Sequence, residues 1–204
     1  AIVANDLLFD HIKTRFPGVA TIASLDKVMC ELRHDFSREA DYYRDLFERF
    51  DEVVVRCEAA LSDEMVACLE PYANRVEYIT NQVCYPDCQF CYEHISSMEA
   101  HNDPGVHAPH HECFYIKKAK TFHGHLQNSL FVSESRISAL AAKGFVKAKL
   151  AGRNQPMPRA LDMLGMYVFE PTGAFVDVKN ELARLYRSAC ERNGGQLVPY
   201  MLPR

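Results

Sequence analysis

The sequence predicts an α/β fold, a partial or N-terminally incomplete (β/α)8 TIM-type barrel of about six parallel βα units. Three observations lead there. Short apolar runs of strand type alternate with amphipathic helical stretches along the chain. The 204 residues fall short of the roughly 250 that a complete eight-unit barrel takes. No Gly-x-Gly-x-x-Gly or phosphate-loop pattern follows any strand, which makes a doubly wound nucleotide-binding sheet the runner-up.

Each element has a local reason. Ile2-Val3-Ala4 is a short apolar strand, and Asn5-Asp6 is a helix N-cap signal before the helical spacing of Leu7 to Phe16. Pro17-Gly18 stops that helix, Val19 to Ser24 reads as the second strand, and a polar segment follows. Tyr42, Leu46 and Phe50 recur every four residues and define a helix over 38–50. Glu52 to Cys57 is the third strand, and Ser62-Asp63-Glu64 opens a helix to about Glu70. Val76 to Thr80 is the fourth strand, Leu130-Phe131-Val132 the fifth and Phe145 to Leu150 the sixth. Between the last two, the helix from Ser135 to Lys143 ends at Gly144, a usual residue just past a helix. Pro158 to about Phe169 and Val178 to Asn193 read as closing helices of one domain over 1–204.

Composition narrows the class. With 48% hydrophobic and 25% charged residues the chain can bury a core, and no apolar run reaches the ~18–20 residues a bilayer requires. The balance of 23 basic against 27 acidic residues gives a net charge of −4, which does not indicate nucleic acid as a partner. No Ser-His-Asp order, His-Glu-x-x-His helix or nucleophile elbow supports a hydrolase.

The eight cysteines and nine histidines are unevenly spread. Cys84, Cys88, Cys91 and Cys113 share one stretch with seven of the histidines. Cys30, Cys57, Cys68 and Cys190 stand singly and read as buried thiols of a reducing, cytoplasmic protein. The connection from Gln82 to Phe131 far exceeds the about 2–6 residues usual between strand and helix, so about 82–129 reads as a site-building insertion on the catalytic face. Its core, Cys84-x₃-Cys88-x₂-Cys91, can converge three thiolates on one soft metal, with Cys113 as a fourth. Three readings fit: a [4Fe–4S] cluster, a structural zinc site completed by Cys113 with His110 or His111, or thiols in a loop. His94 reads as a further ligand, or as a donor to cluster sulfur that tunes potential. His101, His107, His110, His111, His123 and His125 are spaced irregularly and read mostly as solvated loop residues.

Cys84-x₃-Cys88-x-Phe90-Cys91 resembles the motif of radical SAM enzymes, which implies a three-cysteine [4Fe–4S] cluster and S-adenosylmethionine. Here the motif follows about the fourth strand instead of the first, and no Gly-Gly-Glu-like segment lies downstream. A second resemblance covers more of the chain. The run from Asn81 through Cys84, Pro86, Cys88, Phe90 and His94 to Ser96 is similar to that of peptidase-U32-like (β/α)-barrel proteins. So are Phe131–Ser133 with Gly144–Arg153, and Ile2–Lys27. This resemblance implies a cluster-bearing barrel whose first strands precede Ala1, with Cys113 a firmer ligand than Cys91, where relatives commonly carry a basic residue. It also implies a modification enzyme fed by an electron donor, and leaves room for a partner chain that completes the barrel.

The strand ends supply a candidate substrate rim: Asn5, Ser24, Lys27, Arg56, Glu58, Asn81, Ser133, Lys149 and Arg153. Arg56, Lys149 and Arg153 can clamp a carboxylate or phosphate, or else form ordinary salt bridges. Lys149 is the sharpest of these, because Lys147-Ala148-Lys149 alternates charge within an apolar strand, and a lysine facing a barrel interior needs a partner or a task.

Overall fold

The computed structural model describes residues 1–33, 35–82, 88, 90–94, 97, 130–151, 188, 191, 192 and 194. Cys84, Cys113, Arg153, Cys190, the histidines from His101 to His125 and the two expected closing helices lie outside the described residues, apart from 188, 191 and 192. The chain divides into two compact units, Ala1–Lys149 and Leu150–Arg204. The first carries the sheet and the helices packed on it.

Its elements run β1 (Ile2–Val3), α1 (Asp6–Arg15), β2 (Ile22–Ala23), α2 (Leu25–Leu32), α3 (Glu39–Arg49), β3 (Glu52–Val55), α4 (Cys57–Leu61), α5 (Asp63–Leu69), β4 (Val76–Ile79), β5 (Asn81–Gln82), β6 (Leu130–Phe131), α6 (Glu134–Ala142) and β7 (Lys147–Lys149). Short 3₁₀ turns precede α3 (Phe36–Arg38) and β4 (Glu70–Arg75). The caps explain most boundaries. Asn5 Oδ1 accepts the Leu7 N–H at 2.8 Å, and Ser62 Oγ accepts that of Met65 at 3.2 Å. Gly144 takes φ +93°, a conformation open to glycine, and so ends α6 where the sequence places the stop.

Two helices lie where the sequence reading has none. The polar segment after Ser24 is α2, an amphipathic helix with Val28, Met29 and Leu32 buried. Lys27 is buried in it as well, and such charges interleaved with the apolar positions conceal the periodicity. The other, α4, spans only five residues. In α3 Glu39, Tyr43, Leu46 and Phe47 are buried, and of the expected stripe Leu46 and Phe50 face the core while Tyr42 is half-buried.

The strands β1-β2-β3-β4-β7 form one sheet in that order, every neighbouring pair parallel, and it is not closed among the described residues. Side chains alternate between its faces. Val3, Ala23, Val53, Val55, Val76 and Tyr78 join a single apolar core with Phe9 of α1, Val28 of α2, Leu46 of α3, Ala60 of α4, Leu69 of α5 and Leu140 of α6. These six helices therefore cover one face. The register puts Ile22, Glu52, Val54, Glu77, Ile79, Lys147 and Lys149 on the opposite face. Two ion pairs span it, Lys147–Glu52 at 2.6 Å and Lys149–Glu77 at 2.9 Å.

The expected fifth strand departs from the pattern. Leu130–Phe131 does not enter the parallel sheet; it runs antiparallel to Asn81–Gln82. β7 takes the place beside β4 instead.

At the opposite end of the sheet from the strand C-termini, Asp51 Oδ2 accepts the Thr21 N–H at 2.7 Å, the Thr21 hydroxyl at 3.0 Å and Lys13 Nζ at 3.0 Å. These bonds, the Thr21 amide foremost, hold its carboxyl down at about 2 against an ordinary 3.8. A depressed folded-state value gives stability that is present above the unfolded value and lost on acidification. The contribution is thus whole above about pH 4 and disappears as pH falls toward 2. Acid titrations of wild type and Asp51→Asn are expected to converge across that window; parallel curves would remove Asp51 as a source of acid sensitivity.

Candidate functional site

In a parallel sheet the C-terminal strand ends share one rim, where α/β proteins build their sites. At this rim β4 forks at Thr80. Its N–H and hydroxyl donate to the Lys149 carbonyl at 2.9 and 3.2 Å, joining β7, and its carbonyl accepts the Val132 N–H at 2.8 Å. The strand then continues into the β5–β6 stem, with Asn81 opposite Phe131 and Gln82 opposite Leu130. The segment between Gln82 and Leu130, which holds Cys84, Cys88, Cys91 and Cys113, is thus mounted on a two-stranded antiparallel foot above β4.

A cysteine outside that segment reaches its root. Cys57, at the start of α4, is fully buried, and its sulfur accepts the backbone N–H of Gln82. Burial pushes this thiol up to about 12, and the neighbouring Glu58 carboxylate adds to it, so Cys57 is a neutral hydrogen-bond acceptor at neutral pH. The sequence reading of Cys57 as core filler covers its packing and misses this contact, which only the approach of β5 creates. Cys68 is exposed and Cys30 half-buried, contrary to the expected buried thiols, because each stands on the outward side of its helix.

Within the segment, residues 91–94 form a helical turn. The Cys91 N–H donates to the Cys88 carbonyl at 3.1 Å and the His94 N–H to the Phe90 carbonyl at 2.9 Å. Cys88, Cys91 and His94 thus follow one another at intervals of three residues along this turn and its approach. Among the described residues no three Cys, His, Asp or Glu side chains assemble as a metal site. Cys84 and Cys113 lie outside those residues.

The rim residues divide by what they touch. Asn5, Ser24 and Ser133 are N-caps of α1, α2 and α6, accepting the N–H groups of Leu7, Lys27 and Arg136. Lys27, 6% exposed, donates to Asp6 Oδ2 at 2.9 Å, and Arg49 donates to the other Asp6 oxygen at 2.6 Å. The Lys27 hydrogen bond is the main cause that holds the Asp6 carboxyl below its usual range.

Arg56 is buried against α3, with Nε and Nη2 donating to the two carboxylate oxygens of Glu39 at 2.8 and 3.2 Å. Its guanidinium lies 3.6 Å from the centre of the Phe36 ring. Glu58 stands 3.6 Å away, and the Tyr43 hydroxyl donates to Glu39 while accepting the Arg56 N–H. The forked donors of Arg56 are therefore engaged within the fold. Lys149 has the partner its sheet position requires, Glu77. Asn81 is fully buried in the stem. No motif in the sequence singles out Glu39, Tyr43 or Glu77; each becomes significant through a partner 13 to 72 positions away in the chain.

No helix among the described residues is long and apolar enough to cross a membrane. No family model, no curated protein and no solved structure matches the chain.

Proposed function

We propose that the chain is an iron–sulfur-binding protein of incomplete (β/α)-barrel type, a redox or radical-type modification enzyme working at the C-terminal rim of its strands. The observation that carries the reading is the mounting of the cysteine-rich segment. Its antiparallel foot rises from the C-terminal end of β4, and backbone hydrogen bonds from Cys91 to Cys88 and from His94 to Phe90 order the stretch in which Cys88, Cys91 and His94 recur every three residues. Cys84, Cys88 and Cys113 would hold the metal, with Cys91 as an additional ligand and His94 as a ligand or a donor to sulfur. The donor set suits a cluster, since thiolates at short spacings with one distant member are its usual ligands. When bound, such a cluster supplies one-electron chemistry.

The barrel part of the reading draws on the one-sided placement of the helices. The face opposite the described helices would be the interior, and its Lys147–Glu52 and Lys149–Glu77 pairs would make that interior polar beneath the metal. The peptidase-U32-like resemblance belongs to this same proposal.

Anaerobic purification followed by metal and sulfide analysis tests it. Iron and acid-labile sulfide in equal amounts, with a broad visible absorption bleached by dithionite, are expected. A colourless protein carrying stoichiometric zinc would replace the enzyme by a metal-stapled structural segment, and a metal-free protein would end the metal reading altogether.

A further inference from the structure

Arg33 follows α2 and is the one non-glycine residue with positive φ among the described residues, at φ 53° and ψ −104°. This backbone conformation suits glycine, because a Cβ there crowds the peptide group. Glycine is also the usual residue where a helix ends in this half of conformational space. The backbone would be better served by glycine, so what the arginine contributes must come from its side chain. That side chain reaches into the cysteine segment. Its guanidinium lies 5.5 Å from the ring centre of Tyr92, which sits between Cys91 and His94 on the helical turn. The contact bridges 59 positions of sequence.

We propose that Arg33 is a positioning residue that clamps the Cys88–His94 turn onto the end of α2, holding its donors at the rim and placing a fixed positive charge beside them. The role rests on the metal reading of the same segment. The ring is held by a planar cation, and the strained backbone aims that cation. Lysine would keep the charge and lose the broad, delocalised cation.

The test compares Arg33→Gly and Arg33→Lys with wild type in the protein as isolated, by three readouts: thermal midpoint, the rate at which an iron chelator removes metal, and chymotryptic cleavage between residues 83 and 129. For Arg33→Gly the midpoint is expected at or above wild type, because strain is relieved, while metal loss and cleavage quicken about two- to fivefold, the size of one exposed cation–ring contact. Arg33→Lys should fall between the two. Opposite signs for stability and metal retention are the signature of a clamp. A glycine variant in which midpoint and retention fall together makes Arg33 an ordinary structural residue and overturns the proposal, as does one matching wild type in both metal loss and cleavage. If the wild type carries no metal, the metal reading fails. Cleavage then still decides whether Arg33 holds the turn.

Discussion

Replacing Glu39 by alanine is expected to lower the unfolding free energy by about 3–5 kcal/mol. Arg56 and Glu39 are 6% and 4% exposed. In water each charge is solvated; in the fold each depends on the other and on Tyr43. Removing the carboxylate leaves a buried guanidinium facing the Phe36 ring, with the Glu58 carboxylate 3.6 Å away. Alanine at 39 also strips the Tyr43 hydroxyl of its acceptor, and burial already keeps that phenol from ionising. Urea denaturation measures the loss. Glu39→Leu combined with Arg56→Met should recover much of it, since both desolvation penalties are removed together. A loss under about 1 kcal/mol, the scale of an exposed salt bridge, would show that the pair is solvated in solution.

Replacing Cys88 by serine is expected to abolish the visible absorption and bound iron while leaving the unfolding free energy of the sheet, measured in urea, within about 0.5 kcal/mol of wild type. The separation follows from the fold. The apolar core lies between one face of the sheet and its helices, and Cys88 contributes nothing to it. The cysteine segment is joined to that body through its foot, and Tyr92 contacts Arg33. A variant that keeps full iron content would remove Cys88 from the ligand set. Cys113→Ser then distinguishes the chemistries. Loss of the cluster makes Cys113 the fourth ligand, whereas an intact cluster that cleaves S-adenosylmethionine on reduction makes it a three-cysteine centre of radical type.

Much of the fold is legible in the sequence because its causes are local. Asn5 and Ser62 cap the helices that they announce, Gly144 stops α6, and each parallel strand falls within an apolar run. The direction of β6 is not legible, because a two-residue apolar strand carries no record of which partner it pairs with. Tertiary hydrogen bonding through Thr80 decides it.

The same division holds at the rim. From sequence alone the cysteines read as a metal-type constellation, since ligand spacing is a property of neighbours in the chain, and the strand ends read as the place for polar groups. Only the tertiary structure decided what those polar groups do: Asn5, Ser24 and Ser133 cap helices, Arg56 is consumed by Glu39, and Lys149 is neutralised by Glu77. The physical reason is that a charge is defined by its partner. The partners here come from other strands and helices, brought within 3 Å by folding and by nothing in the local sequence.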